Sequence, residues 1–239
     1  MHNFLPLFKG EIQRLVKYKI LQIALLVTVM WLAILFLIGE ESVAEFVPLF
    51  IFMDATLMTV MLVGANLFYE KQENTLKTLL ITPSGFAALM MSKFLSAIVL
   101  SFQSAAVISL FAYFIFGVSV SFGWLFIFVA LITFMHTALG FVLTVFAKDF
   151  TGLLALLIAY MFFFAFPTIF YALGVFGETA ELWLMFSPTH ASMLLIEFSY
   201  GLDVRTVLIP IGAIYLVLVG AALTKWIVVP KYVETAVRE

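Results

Sequence analysis

Apolar positions run almost unbroken through six stretches of the chain, 20–38, 46–68, 94–116, 124–147, 153–173 and 207–229, and polar residues gather between them. A helix needs about 20 mostly apolar residues to cross a hydrocarbon core of about 30 Å, and each run meets that demand. None shows the alternating polarity of barrel strands, so the backbone of such runs satisfies its hydrogen bonds inside a bilayer only as helix. The pattern predicts an all-α polytopic membrane protein with six transmembrane helices.

The polar stretches carry patterns of their own. Over 1–19, Leu5, Phe8, Ile12 and Leu15 recur at helical spacing while Lys9, Gln13, Arg14 and Lys17 fill the other face. This predicts an interfacial helix lying along the inner membrane surface. Within 174–206, two apolar pieces, 182–186 and 191–198, are each too short to cross and are separated by Ser187-Pro188. They are expected to dip into the outer leaflet as a re-entrant hairpin broken at the proline, since irregular backbone at that depth is tolerated where protein or water covers it.

Composition fits this reading: 65% of residues are hydrophobic and 11% charged, with a mean hydropathy of +1.20, where a soluble domain carries roughly 25% charged residues. There is no cysteine, which excludes disulfides, thiolate metal sites and thiol nucleophiles. The net charge is −2 and the basic residues sit beside apolar runs rather than on one broad face, so nucleic-acid binding is discarded. No small-residue cleavage pattern follows the first run, which is therefore expected to stay attached, and 1–239 reads as a single transmembrane domain.

Charge also sets an orientation, because Lys and Arg are retained on the cytoplasmic side. Lys9, Arg14, Lys17 and Lys19 precede the first run, Lys71, Lys77 and Lys93 lie between the second and third, Lys148 between the fourth and fifth, and Lys225, Lys231 and Arg238 close the chain. The opposite loops hold Glu40, Glu41, Glu45, Glu178, Glu181, Glu197 and Asp203, with Arg205 the lone cation there. Both termini are expected in the cytoplasm, with the chain in the cell membrane.

The most polar inner loop, 70–85, is the first candidate site. Leu76, Leu79 and Leu80 form one helical stripe, and Glu70, Glu73 and Lys77 surround it. Glu73 stands four residues before Lys77, a pairing that supports a short helix by about 0.2–0.5 kcal/mol. Thr82 can cap the next helix with Pro83 at its first position, where a missing N–H is harmless. A short helix, a sharp corner and a rigid connection into a span transmit force or dock a partner, although helices of this kind also rest on headgroups.

The wording Glu70-x-x-Glu73-x-Thr75-Leu76-x-x-Leu79-Leu80-x-Thr82-Pro83 resembles the segment between the second and third spans in permease subunits of the ATP-binding-cassette type-2 exporter family. Asn74 stands where that family has glycine, and Asn tolerates the left-handed backbone. The six-span layout, and Ser187-Pro188-Thr189-His190 in the place of the family's outer turn, extend the resemblance over nearly the whole chain. It implies that 70–85 is a coupling segment, seated in a groove on an ATP-binding subunit. It implies further a working unit of two ABC ATP-binding subunits and two permeases, as a homodimer or with a similar second chain, and a substrate path between the permeases. ATP and Mg would be held by the partner subunits, with no cofactor or metal on this chain. In keeping with that division, the chain has no phosphate-cradling G-x-x-x-x-G-K-[S/T] loop and no Gly-Lys pair, so it is expected not to be an enzyme. Short outer loops fit export of a small amphipathic or lipid-like compound, as in drug efflux.

Inside the membrane, Asp54 lies within the second run, where an ionised carboxylate costs at least about 2.5 kcal/mol unless it faces protein or water. It is read either as a contact for substrate or proton in the path or as an acid bonded to a neighbouring helix. His136, between Thr133 and Thr137, is read as an interhelical donor rather than a relay. In the alternative of an ion-gradient-driven transporter or channel, Asp54 and His136 would be the proton carriers. Pro167 and Pro210 are expected to bend or weaken their helices.

Overall fold

The computed structural model describes residues 4–73, 86–177, 179–231 and 234, except the side chains at 41, 71 and 86. Every regular element among these is helical. Among the described residues six helices are long and apolar enough to cross a membrane: Ile20–Ile38, Ser42–Glu70, Ala87–Phe116, Phe122–Phe146, Phe150–Ala172 and Leu208–Lys231, hereafter spans 1 to 6. The chain is a membrane-embedded, all-α protein.

Spans 2 and 4 are the centre of the bundle. In their most apolar windows 78% and 67% of residues are buried, against 22–39% in the other four. Span 4 touches spans 2, 3, 5 and 6. Its approach to span 2 depends on Gly140, where an added Cβ would lie 3.0 Å from the Val60 carbonyl oxygen. Small residues at such seams let helix backbones come close, and close packing drives association where lipid is as apolar as the side chains.

Gly39 alone separates span 1 from the helix that leads into span 2, and its φ of +84° suits glycine. Helix resumes at Glu40, so Glu40 and Glu45 belong to the opening turns of a helix rather than to a loop. Carboxylates are favoured at a helix N-terminus, where unpaired N–H groups point outward. Span 3 likewise begins earlier than its apolar run, in a helix from Phe86 to Phe116 that takes in Lys93.

Spans 2, 5 and 6 each contain one turn of π-helix, at Asp54–Met58, Met161–Ala165 and Thr224–Val228. Such a turn inserts one residue and re-aims the side chains around it. In span 5 it lies just before Pro167, the second residue of the next α-helical stretch, Phe166–Ala172. Pro210 sits in the first turn of Leu208–Leu223, where a missing N–H removes no helical bond, so the weakening expected there does not arise.

Ahead of span 1, the helix Phe4–Lys17 packs on spans 1 and 3. At the other end of the bundle, two short helices, Ala180–Leu184 and Pro188–Ser199, form a hairpin. The second arm is buried on nearly every side among spans 2, 4, 5 and 6.

Candidate functional site

Four charged side chains meet where the N-terminal helix crosses the ends of spans 2 and 3. Glu11 and Glu70 have no exposed surface, Lys93 is 3% exposed, and Arg14 lies at the rim. Lys93 Nζ is 2.5 Å from Glu70 Oε1 and 3.1 Å from Glu11 Oε1. Arg14 pairs with Glu11, and its Nε is 3.6 Å from Glu70 Oε1. Two cations balance two anions, which is the condition for burying charge without a large desolvation penalty.

A second, exposed tie lies one turn further along the chain. Glu73 accepts from Lys17 Nζ at 2.9 Å and from the Tyr18 hydroxyl at 2.6 Å. These two bonds hold the Glu73 carboxyl below its usual range. Burial, then the bond to Glu73, pushes the Tyr18 phenol up to about 12. Tyr18 also stacks against Tyr69, with ring centroids 4.9 Å apart.

The two ties bracket the loop read from the sequence as the coupling segment. Glu70 and Glu73 open it, Lys93 follows it, and all three are fastened to the N-terminal helix. Thr75, Leu76, Leu79, Leu80, Thr82 and Pro83, and with them the Lys77 partner expected for Glu73, lie outside the described residues. Glu70 points inward rather than flanking an exposed helix, and Arg14 belongs to the packed side of its helix, because each finds opposite charge there. Sequence reasoning missed Glu11 and Lys93. A signal for Glu11 existed: it lies three residues after Phe8 and four before Leu15, on the apolar stripe itself, where a purely surface charge has no place.

Asp54 opens the π turn of span 2 and is 7% exposed. Its Oδ2 accepts from the Ser104 hydroxyl of span 3. One turn on, Thr59 Oγ1 lies 3.0 Å from Ser101 Oγ and 3.4 Å from the Asp54 carbonyl oxygen. Asp54, Thr59 and Ser101 border a cavity of about 10 Å³, room for one water molecule. His136 is fully buried in span 4, with Nδ1 2.9 Å from the Ile132 carbonyl oxygen and Nε2 3.1 Å from the Tyr160 hydroxyl of span 5. Asp54 and His136 are thus tied to different helices.

In the hairpin, Ser187 and Pro188 form the corner, with Pro188 the first residue of the second arm. The Phe164 carbonyl oxygen, in the π turn of span 5, accepts from Thr189 Oγ1 at 2.6 Å, Thr168 Oγ1 at 3.0 Å and Ser187 Oγ at 3.5 Å. Phe164 lies eight residues from the end of span 5 at Ala172, or about 12 Å along a helix, so the corner is sunk well into the bundle. The far end of the arm is fixed by Tyr200 to Ser109 at 2.6 Å, and by the Ser121 N–H, which donates to the Ser199 carbonyl oxygen at 2.8 Å. Beside the arm, a cavity of about 250 Å³ is lined by Phe46, Leu49, Leu173 and Met193 together with Glu45 and Glu197. Burial, reinforced by Glu181, pushes the Glu197 carboxyl up to about 7.

No family model matches the chain, and no curated protein matches it.

Proposed function

We propose that this chain is the permease subunit of an ATP-driven exporter, moving a small amphipathic or lipid-like compound out of the cell with energy from a separate ATP-binding subunit. The observation that carries this reading is the frame around 74–85. Glu70, Glu73 and Lys93 fix both flanks of that segment to the N-terminal helix and to spans 2 and 3, so a push on it reaches the centre of the bundle through span 2. A loop that merely rested on headgroups would need no such anchoring.

Two further features support the reading. The deep hairpin gives the bundle a far-end element held by hydrogen bonds rather than by a span of its own. The adjoining cavity combines apolar walls with carboxylates, a lining suited to an amphipathic molecule. In the proposed assembly two such chains, as a homodimer or with a similar partner, lie in the cell membrane with both termini cytoplasmic and two ABC ATP-binding subunits on Leu76, Leu79 and their neighbours. ATP and Mg act on those subunits.

The test is co-purification. The tagged chain, co-expressed with the ATP-binding subunit encoded beside it and extracted in mild detergent, is expected to give a two-plus-two complex by native mass spectrometry. Replacing Leu76 and Leu79 together by Asp should remove the ATPase while leaving the permease folded. A stable chain that never carries an ATPase would overturn the proposal.

A further inference from the structure

Spans 2 and 3 face each other along two stripes of mainly polar and small residues, with Val63 the one larger apolar member. On span 2 these are Asp54, Thr59, Val63, Asn66 and Glu70; on span 3 they are Ser104, Ser101, Ala97, Ser96 and Lys93. The steps are three or four residues on both, apart from the residue added by the π turn at 54–58 and the neighbours Ser96 and Ala97, which flank the stripe on span 3. Bonds mark the two ends of the seam, Lys93 with Glu70 at one and Ser104 with Asp54 at the other. Eleven residues of span 3 separate them, about 16 Å of helix.

The middle of the seam is not filled. The cavity beside Asp54 is followed by a second of about 10 Å³ that reaches Asn66, Ser96 and Lys93. Leu62, Val63, Ala97 and Leu100 border both. Each has room for about one water, and a water is at home where it finds two to four polar partners. Partners are at hand: Thr59, Ser101 and Asp54 above, Asn66 and Ser96 below. Asn66 Oδ1 is buried with no hydrogen-bond partner among the described residues, as is Glu11 Oε2 in the ion cluster beneath, and buried acceptors of this kind are normally met by ordered water.

Among the described residues no cation balances Asp54. Span 1 contains no ionisable residue, and span 3 contains only Lys93, engaged with Glu70 and Glu11, and Tyr113. From span 4 the titratable group is His136, bonded to Ile132 and Tyr160; from span 5 they are Tyr160 itself and Tyr171, which packs edge-on against His190 of the hairpin. Span 2 adds Glu45, Tyr69 and Glu70, all a turn or more away. The Ser104 hydroxyl, which donates to Asp54 Oδ2, has a second acceptor within reach. Ser104 Oγ lies against Asp54 Oδ2 and also 3.2 Å from the Ser101 carbonyl oxygen. A hydroxyl has one proton to donate; when Ser104 gives it to that carbonyl, the proton in the bond to Asp54 comes from the carboxyl.

We propose that Asp54 carries an exchangeable proton, and that the two water-sized cavities between spans 2 and 3 are the route by which it passes to and from the Glu11–Glu70–Lys93 end of the bundle. The transfer breaks the Asp54 O–H bond, hands the proton to a cavity water, and leaves a carboxylate bonded to Ser104. The site holds whichever energy source drives transport, so it does not depend on the permease reading.

The test uses the purified full-length protein in lipid nanodiscs and infrared difference spectroscopy of its carboxylic-acid carbonyl band. A band present in the unaltered protein, lost in Asp54→Asn and shifted promptly on transfer to deuterium oxide is the expected result. Filling the shared wall with Ala97→Leu should leave the band but delay its deuterium shift. Asn66→Leu, which keeps the volume and removes the lower acceptor, should delay it as well and guards against a packing failure at Ala97. An Asp54→Asn spectrum identical to the unaltered one, or a deuterium shift equally prompt in both cavity variants, would overturn the proposal.

Discussion

Lys93 Nζ stands 2.5 Å from Glu70 Oε1, and both side chains are sealed from solvent. The pair closes span 2 onto span 3 across the intervening loop, and Glu11 Oε1, 3.1 Å from the same ammonium, adds the N-terminal helix to the joint. A buried pair of this kind is weak as a source of stability compared with well-packed apolar groups, yet costly to break from one side. Its value is geometric: it fixes where the loop leaves and re-enters the bundle.

Removing one partner should therefore hurt more than removing two. Lys93→Met leaves Glu11 and Glu70 facing Arg14 alone, and is expected to lower unfolding stability by about 3–5 kcal/mol. Adding Glu70→Gln restores charge balance and should recover most of the loss. Chemical unfolding of the detergent-solubilised single and double variants, read as a mutant cycle, checks this. Additive losses would show that the cluster does not act as a unit.

The seam between spans 2 and 4 depends on a missing side chain. Gly140→Val would drive its branches into the Val60 backbone, 3.0 Å from even a bare Cβ, and backbone yields less readily than a side-chain tip. An overpacking cost of about 1–3 kcal/mol is expected. Gly123, in the first turn of the same span with nothing within 4 Å of its would-be Cβ, should accept Ala without loss. Thermal unfolding of the two variants side by side distinguishes tight packing at Gly140 from a general aversion to substitution in this helix.

At the hairpin corner, three hydroxyls converge on the Phe164 carbonyl oxygen. Thr189→Val removes the shortest of these bonds and the link to Thr168 at 2.9 Å, with an expected cost of about 1 kcal/mol. Thr168→Val should cost less, because Thr189 still serves the carbonyl. The double variant should lose more than the sum, since only Ser187 at 3.5 Å is left. Strict additivity in the unfolding energies would mean that the hydroxyls do not share one acceptor.

Much of the architecture was legible because bilayer physics acts on composition over long windows. The run at 20–38 has the bounds of span 1, and the other five runs fall within or close to their helices. What escaped was decided by single contacts. Lys93 is drawn into span 3 by partners that lie 23 and 82 positions away in the chain, at Glu70 and Glu11, and no local pattern records such a meeting. The π turn at Asp54 was equally invisible, since it adds one residue without altering hydropathy. Asp54 itself was readable as an intramembrane charge, but its partner Ser104 was one serine among several on span 3.

Glu197 supplies a prediction in pH. Its carboxyl is pushed up to about 7, first by burial beside the hairpin cavity and then by Glu181; Glu45 shares the cavity lining, Asp203 lies in the adjoining one, and Arg205 is bonded to Glu181 at 2.9 Å. A carboxyl of ordinary value, as in the unfolded chain, releases its proton near pH 4.3. Between there and about 7 the folded protein binds more protons than the unfolded one, so its stability falls as pH rises through that window and levels off above it. Low pH should thus favour the folded hairpin, the reverse of the usual behaviour of a salt-bridged acid. Glu197→Gln, neutral throughout, should flatten this part of the profile and be more stable than the unaltered protein above pH 7. Melting temperatures of both forms measured from pH 4 to pH 8 decide the matter, and parallel curves would mean that Glu197 is as well solvated folded as unfolded.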